Sequence, residues 1–324
     1  MVSLPTITSR NTTFLTTHPL VAVIVGGTSG LAEYAIRSLI ATHSSLPSPS
    51  QSSATPSKPS LRIYIIGRNT SAAQTTISDC KAICPGPEVE LIFVKVEDLS
   101  LLGDVNRVCG EVVRLEREKE QEQNKRGGEL LPLLLASCLP TGAHITSIYA
   151  AGMEATLFPS DISLRQPGHY TFSDVRSHAV HMTTLFFESL VQKHPGKLVA
   201  TYVYPGLVIT PGMYREGYPL WFRVLRAIFG GLGIMKLVSL SSEEAGNRMV
   251  WTFAGAGFVS REGEGMVGTD GVRGGGAYAV GRLGEVCQDG KAYEEIRKGD
   301  LKERIWEHTW KAFEVIEKGG VFED

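Results

Sequence analysis

Residues 21–32, VAVIVGGTSGLA, constrain the fold of this chain more than any other stretch. The apolar run at 21–25 is typical of a strand buried in a parallel sheet, and a helical pattern follows at 31–40. Between them, Gly26 and Gly30 keep side chains away from the turn that opens the helix. A strand, a glycine turn and a helix N-terminus in this order predict a site for the pyrophosphate of a dinucleotide. The alternative is a turn with a purely structural role.

The composition is that of a globular protein with one large α/β domain or two small ones. The chain has 324 residues, of which 43% are hydrophobic, and its net charge is −2. This balance gives no support to a nucleic-acid partner. Five cysteines, without a C-x-x-C spacing, predict a reduced cytoplasmic protein rather than a disulfide scaffold.

Strand and helix patterns alternate along the chain, which predicts a doubly wound parallel sheet of the Rossmann type. Further strands are expected at 61–69, 89–96, 143–151, 197–204 and 276–280, and helices at 104–125, 129–137, 174–193, 243–253 and 300–317. The predicted organisation is an N-terminal arm (1–20), a Rossmann-type domain (21–285) and a C-terminal helical extension (286–324).

Two polar segments and one apolar segment stand out within the predicted domain. Residues 44–60 are rich in Ser and Pro and predict a disordered surface insert. Residues 116–128 contain no apolar side chain and predict a solvated helix end that runs into a flexible joint. Residues 218–238 are apolar but interrupted by charges and glycines, which favours a cap over a substrate pocket. Peripheral membrane contact through this segment is the alternative.

Four motifs, in the same order along the chain, resemble the short-chain dehydrogenase/reductase family. They are VGGTSGLA (25–32), Gly67-Arg68-Asn69, Asp98-Leu99 and YPGLVIT (204–210). The resemblance is strongest to divergent fungal members found beside secondary-metabolite pathways. It implies a bound dinucleotide and the following cofactor-binding residues: Gly26, Thr28, Ser29, Gly30, Leu31, Arg68, Asp98, Leu99, Pro205, Gly206 and Thr210.

Arg68 makes NADP the expected cofactor. Members of the family that bind NAD carry an acid after the second strand, where it holds the ribose hydroxyls. A guanidinium at this place can instead form charge-assisted hydrogen bonds to a 2′-phosphate. The alternative is an ordinary surface arginine. By the same resemblance, Asp98 lies at the adenine edge and the 205–210 segment lies against the nicotinamide.

The chain departs from the family between its third and fifth expected strands. The Asn-Asn-Ala-Gly motif of the family's fourth strand has no counterpart between Gly110 and Ala143. We therefore expect a sheet that lacks or distorts one central strand, although residues 129–139 could fill part of the gap. A gene model that skips an exon is an alternative origin of the same pattern.

The catalytic motif of the family is also altered. Tyr170 has the expected place, but Asp174 stands where the family has the lysine that lowers the tyrosine pKa. Tyr149-Ala150 stands where the family has its catalytic serine. Ser147 lies three residues before Ala150, so alternation predicts that it points to the other face of the sheet, although a bulge could re-aim it. His178 is the predicted assistant in proton transfer.

Two histidines near the start of the long predicted helix are candidate metal ligands. His178 and His181 share a helix face and are predicted to be partly buried, and no third metal ligand accompanies them.

Two classes of function are compatible with these features. One function is an NADP-dependent oxidoreductase acting on a carbonyl or alcohol of an apolar small molecule, with Tyr170, His178 and Ser147 as its catalytic residues. The other is a catalytically degenerate Rossmann protein that binds a nucleotide or a partner without turnover.

Overall fold

The computed structural model is an α/β fold built from parallel strands and two layers of helices. It describes residues 2–47, 58–120, 130–214, 220–231, 235, 239–254, 257–287, 293, 296–297 and 299–323. The centres of both predicted polar segments, at 48–57 and 121–128, and parts of 218–238 lie outside the described residues.

Strand and helix bounds follow the sequence patterns closely. The strands are β1 (Leu20–Val25), β2 (Leu61–Gly67), β3 (Val89–Lys95), β4 (Ala143–Ile148), β5 (Leu198–Val203) and β6 (Ala277–Val280). The helices are α1 (Leu4–Thr17), α2 (Gly30–Ser44), α3 (Thr70–Ile83), α4 (Leu102–Glu120), α5 (Leu131–Leu135), α6 (Phe172–Lys193), α7 (Leu220–Gly231), α8 (Ser242–Ala254) and α9 (Leu301–Glu317), with a 3-10 turn at Pro211–Tyr214.

The strands form two parallel half-sheets rather than one continuous sheet. Their orders are β1-β2-β3 and β4-β5-β6, so β1 and β4 are edge strands of separate half-sheets. The register pairs Leu20 with Leu61 in the first half-sheet and Ala143 with Leu198 in the second. The described residues contain no strand that joins β1 to β4, which agrees with the expected sheet that lacks or distorts one central strand.

The face of β1 that would be buried in a complete sheet is open. Val21, Val23 and Val25 are 50%, 36% and 56% exposed, whereas Ala22 and Ile24 on the opposite face pack into the core. Residues 131–135, which belong to the segment that was a candidate to fill the gap, form α5 and pack against β4 instead. The gap therefore affects both the sheet and the helix layer over it.

One layer of helices holds the two half-sheets together. Ile36 and Leu39 of α2 pack on the first half-sheet together with Val250 of α8. Met249 and Trp251 of α8 pack on the second half-sheet. The opposite layer is divided, with α4 on the first half-sheet and α6 on the second. Helices α2 and α8 also pack against each other, which connects the two half-sheets.

The N-terminal segment predicted as an arm is instead a helix of the core. Helix α1 buries Ile7, Asn11 and Leu15, which lie on one helical face. The amide nitrogen of Asn11 donates a hydrogen bond of 3.0 Å to the carbonyl oxygen of Asn247 in α8. This segment therefore belongs to the helix layer that joins the half-sheets.

The start of the polar segment 116–128 is also packed rather than solvated. Glu116 is 5% exposed, and its carboxylate accepts hydrogen bonds from the Tyr64 hydroxyl at 2.6 Å and from Arg62 at 3.0 Å. Burial and the Glu116 carboxylate raise the pKa of Tyr64. A buried carboxylate with two donors is stable where an unpaired one would not be, so α4 continues past the point at which its sequence becomes polar.

Candidate active site

The glycine turn after β1 has the backbone shape that a pyrophosphate site requires. Gly26 and Gly30 have φ values of +76° and +68°, a region that side-chain-bearing residues rarely adopt. A Cβ atom added at Gly26 would meet no atom within 4 Å, so the space above this residue is open. The turn leads directly into α2, which begins at Gly30.

The N-terminus of α2 is available to an anion. Ser29 is the N-cap residue in extended conformation, and its side chain makes no capping hydrogen bond. The first N–H groups of a helix have no partner within the helix and carry partial positive charge. An uncapped helix N-terminus behind an open glycine turn fits the pyrophosphate group of a dinucleotide. Thr28 and Leu31 flank this position, and the Thr28 side chain packs against Gly67 at the end of β2.

The segment after β5 folds back onto this turn. A Cβ atom at Gly30 would lie 3.3 Å from the Thr210 side chain, so the two predicted motifs meet. The Tyr34 hydroxyl of α2 donates a hydrogen bond of 3.1 Å to the carbonyl oxygen of Ile209. Sequence reasoning did not single out Tyr34, which holds the 205–210 segment in place. Burial raises the pKa of this hydroxyl, which keeps it a hydrogen-bond donor.

Pro205 and Gly206 lie at the carboxyl end of β5. A Cβ atom on Gly206 would lie 2.9 Å from the Cβ atom of Arg282, so this exposed arginine flanks the segment. Arg282 is a second cation at this edge of the molecule, and it follows β6 by two residues. The sequence motifs did not identify it because its place depends on the packing of β6 beside β5.

Arg68 and Asp98 lie at the carboxyl ends of β2 and β3, and both are exposed. The backbone N–H of Ser100 donates a hydrogen bond of 2.9 Å to the Asp98 carboxylate. Hydrogen bonds from Ser100 lower the pKa of Asp98, and the charge of Arg68 contributes in the same direction. Arg68 and Asp98 thus follow two neighbouring, paired strands, and Leu99 is exposed beside Asp98.

Tyr170 lies before α6 rather than on it. It is 77% exposed, and the helix begins two residues later at Phe172. Asp174 belongs to the helix cap: its backbone N–H donates to the Thr171 hydroxyl at 3.2 Å, and that hydroxyl donates to the Asp174 carboxylate at 2.5 Å. The aspartate found in place of the family's lysine thus has a local structural role at the helix N-terminus.

His178 and His181 hold the loop before α6. His178 is 2% exposed, and its Nε2 atom accepts a hydrogen bond of 2.9 Å from the backbone N–H of Phe158. Its Nδ1 atom lies 3.4 Å from the carbonyl oxygen of Ile162. Burial lowers the pKa of His178, which favours the neutral ring. His181, 1% exposed, contacts the carbonyl oxygen of Ala155 at 3.3 Å through Nε2.

Ser147 lies on the face of β4 that is directed toward α6. Ala143 and Ile145, on the same face by alternation, belong to the cluster around α6. Ala150 belongs to this cluster as well, but it lies beyond the end of β4 at Ile148, where strand alternation no longer relates its direction to that of Ser147. The expected opposition of these two residues therefore stays a prediction.

Helix α7 presents apolar side chains to solvent close to the end of the 205–210 segment. Leu220, Val224 and Ile228 are 73%, 49% and 53% exposed. The Arg226 guanidinium lies 4.5 Å from the centre of the Tyr214 ring, which connects α7 to the turn after Thr210. No helix within the described ranges has the length and apolar character needed to cross a membrane.

Comparison with known proteins identifies the family. No family model matches the chain. It is 31% identical to short-chain dehydrogenase/reductase SAT2 of Stachybotrys chartarum, over 92% of this chain and 93% of that protein. This chain belongs to the short-chain dehydrogenase/reductase family. It is also 25% identical to oxidoreductase AN1596 of Emericella nidulans, over 95% of this chain and 97% of that protein.

Two further results concern the shape and the length of this family member. A solved complex of Pseudomonas aeruginosa RhlG with NADP is similar at a TM-score of 0.47 and 14% identity, covering 75% of this chain and 91% of that one. The alignment with SAT2 spans 350 positions but holds only about 298 residues of this chain, 92% of 324. Roughly 50 aligned positions therefore have no counterpart in this chain.

Proposed function

We propose that this chain is an NADP(H)-dependent oxidoreductase that acts on a carbonyl or alcohol group of an apolar small molecule, such as a secondary metabolite. The observation that carries the proposal is the meeting of the glycine turn, the uncapped N-terminus of α2 and Thr210 at one edge of the molecule. In open α/β sheets, ligands bind outside the carboxyl ends of the strands.

Different residues at this edge would bind different parts of the cofactor. The turn at Gly26 and Gly30 would hold the pyrophosphate, and Arg68 would hold the 2′-phosphate through charge-assisted hydrogen bonds. Asp98 and Leu99 would contact the adenine, and the segment 205–210 would lie against the nicotinamide. NADPH would supply the hydride that a carbonyl carbon accepts.

The proton in this reaction would come from Tyr170. Its exposure leaves the hydroxyl accessible to a substrate oxygen, while Ser147 lies on the face of β4 that is directed toward α6. The exposed apolar side chains of α7, beside the turn that follows Thr210, fit an apolar substrate. No lysine follows Tyr170 at the family's spacing, so we expect a low rate.

A second function is nucleotide binding without turnover. It is favoured by the structural roles of the residues that stand where the family has its catalytic groups. Asp174 caps α6, the ring nitrogens of His178 face backbone groups, and the described sheet lacks a central strand. These features leave Tyr170 without the family's lysine and without assistance from His178. Such a protein would bind NADPH and consume none.

Turnover by the purified full chain decides between the two functions. NADPH oxidation would be followed by absorbance with a panel of apolar ketones and aldehydes, and NADP reduction with the matching alcohols. We expect slow, substrate-dependent NADPH oxidation that Tyr170→Phe removes. NADPH binding without turnover on the whole panel would support the second function. Absence of NADPH binding would contradict both.

A further inference from the structure

Three potential metal ligands meet at the amino edge of the first half-sheet, opposite the proposed nucleotide site. His43 lies in the last turn of α2, Cys84 directly follows α3, and Glu88 directly precedes β3. One ligand atom from each of the three side chains lies within 4.8 Å of the other two. His43 and Cys84 are 1% and 5% exposed, and Glu88 is half-buried. Nothing in the proposed oxidoreductase reaction uses these residues.

The histidine ring is oriented for coordination. Its Nε2 atom lies 2.8 Å from the carbonyl oxygen of Pro59, and only a ring N–H can make this contact as a donor. The proton on Nε2 leaves Nδ1 with a free lone pair, and Nδ1 lies 3.8 Å from the Cys84 sulfur. Histidine ligands in metal sites are oriented in this way, by a hydrogen bond from the second ring nitrogen to a carbonyl or carboxylate.

The loop between the cysteine and the glutamate is shaped around the carboxylate. Its sequence is Cys84-Pro85-Gly86-Pro87-Glu88, so two prolines restrict the backbone between the two ligands. A Cβ atom added at Gly86 would lie 2.1 Å from a carboxylate oxygen of Glu88, because the side chain folds back over the loop. Gly86 does not have a positive φ, so the missing side chain leaves space for the carboxylate rather than relieving backbone strain.

We propose that His43 Nδ1, Cys84 Sγ and the Glu88 carboxylate bind one Zn²⁺ ion, with water as the fourth ligand. A thiolate, an imidazole and a carboxylate are all ligands of tetrahedral zinc. Binding exchanges the Cys84 thiol proton, which is released to solvent, for a sulfur–zinc bond. The thiolate and the carboxylate together neutralise the two positive charges of the ion. The Lys58 amine does not compete for them, since it donates to the carbonyl oxygens of His43 and Ser44.

The position of the site gives it a structural role. It joins the end of α2, the residues before β2 and the loop between α3 and β3. The Ser44 hydroxyl already donates a hydrogen bond of 3.1 Å to the carbonyl oxygen of Ile83, which brings the ends of α2 and α3 together. A bound ion would strengthen this connection, because metal binding to the folded state alone raises the stability of that state.

Cobalt absorption tests the site, and the test does not depend on the proposed oxidoreductase activity. The full chain, without a polyhistidine tag and kept reduced by a phosphine, would be titrated with Co²⁺. We expect a thiolate-to-cobalt charge-transfer band at one equivalent, together with the visible bands of four-coordinate cobalt, and displacement of both by Zn²⁺. Cys84→Ser should lose the thiolate band. The control Cys138→Ser, at an exposed cysteine outside the cluster, should keep it.

Thermal unfolding provides the second readout. Zn²⁺ at about a hundredfold excess over its Kd should raise the Tm of the wild-type chain by roughly 4 °C, and should leave that of Cys84→Ser unchanged. Glu88→Gln, at a half-buried position, should weaken Co²⁺ binding about tenfold or more. Absence of a thiolate band at one equivalent of Co²⁺ would overturn the proposal. So would a band that Cys138→Ser removes and Cys84→Ser leaves in place.

Discussion

In the proposed nucleotide site, Arg68 is the residue on which the choice of cofactor would depend. It lies after β2, is exposed, and interacts electrostatically with Asp98 at the end of β3. An acid at this place would repel the 2′-phosphate of NADP, whereas a guanidinium can bind it through two hydrogen bonds. In the proposed nucleotide site, this side chain would therefore distinguish the two dinucleotides.

We predict that Arg68→Asp reverses the preference for NADPH over NADH. The variant should weaken NADPH binding by about 1.5–3 kcal/mol, the range for a hydrogen bond to a charged group, and leave NADH binding nearly unchanged. Fluorescence titration of both cofactors measures this. Arg10→Ala, at an exposed arginine on α1, is the control and should bind as the wild type does. Equal wild-type affinities for NADPH and NADH would refute the assignment.

Tyr170 and His178 should respond differently to substitution, because only Tyr170 is exposed. We predict that Tyr170→Phe lowers the rate by about tenfold or more and leaves the Tm unchanged. His178→Ala should lower both the rate and the Tm, since it leaves the Phe158 N–H without its acceptor. Rate assays and thermal unfolding of the same samples separate the two roles. An active His178→Ala protein with a wild-type Tm would contradict the structural role of this histidine.

At the scale of elements, apolar runs specify most strands and helices, but α1 escapes sequence reasoning. The β1, β2 and β3 patterns are continuous and apolar, and the observed bounds differ from the predicted ones by one or two residues. Helix α1 is rich in threonine, a weak helix former. Thr8, Thr12 and Thr16 each bond the carbonyl oxygen four residues earlier, and Ile7 and Leu15 are buried on one face. That burial depends on α8, which no local pattern reveals.

Helix α6 begins after Tyr170, and for this reason a lysine at position 174 should not restore the family's catalytic activity. Tyr170 precedes the helix, so a lysine at position 174 would not lie one helical turn from it on a common face. We predict that Asp174→Lys lowers stability by about 1 kcal/mol, through loss of the cap and repulsion at the helix N-terminus. The rate should not increase. Thr171→Ser, which keeps the capping hydroxyl, is the control for stability. A rate that rises tenfold in Asp174→Lys would show that Tyr170 and position 174 act together.

At the scale of the whole molecule, the separation of the two half-sheets is the main departure from a complete Rossmann fold. Sequence reasoning anticipated it, because the order of strand patterns is specified locally. It could not show that α2 and α8 hold the halves together, nor that His43, Cys84 and Glu88 meet, since these contacts join residues far apart in the chain. The exposed Val21, Val23 and Val25 are typical of a surface that a strand and a helix normally cover.

We predict that transcripts of this gene contain additional codons between those for residues 115 and 130. The roughly 50 aligned positions that this chain lacks are enough for a strand and a helix. Sequencing the transcript across this region checks the prediction. An apolar strand that ends in Asn-Ala-Gly would complete the sheet and the enzyme. Transcripts without an insertion would leave the divided sheet as the native state and favour binding without turnover.

The most direct test of the account is NADPH binding to the wild-type chain, Gly30→Val and Gly103→Val, measured by fluorescence titration with thermal unfolding of each protein. A side chain at Gly30, which has φ +68° and lies against Thr210, would block the pyrophosphate, whereas a Cβ atom at Gly103 meets nothing within 4 Å. Gly30→Ala serves if the valine variant does not fold. The account predicts NADPH binding by the wild type and Gly103→Val and its loss in the folded Gly30 variant. Undiminished binding in that variant would contradict the proposed nucleotide site.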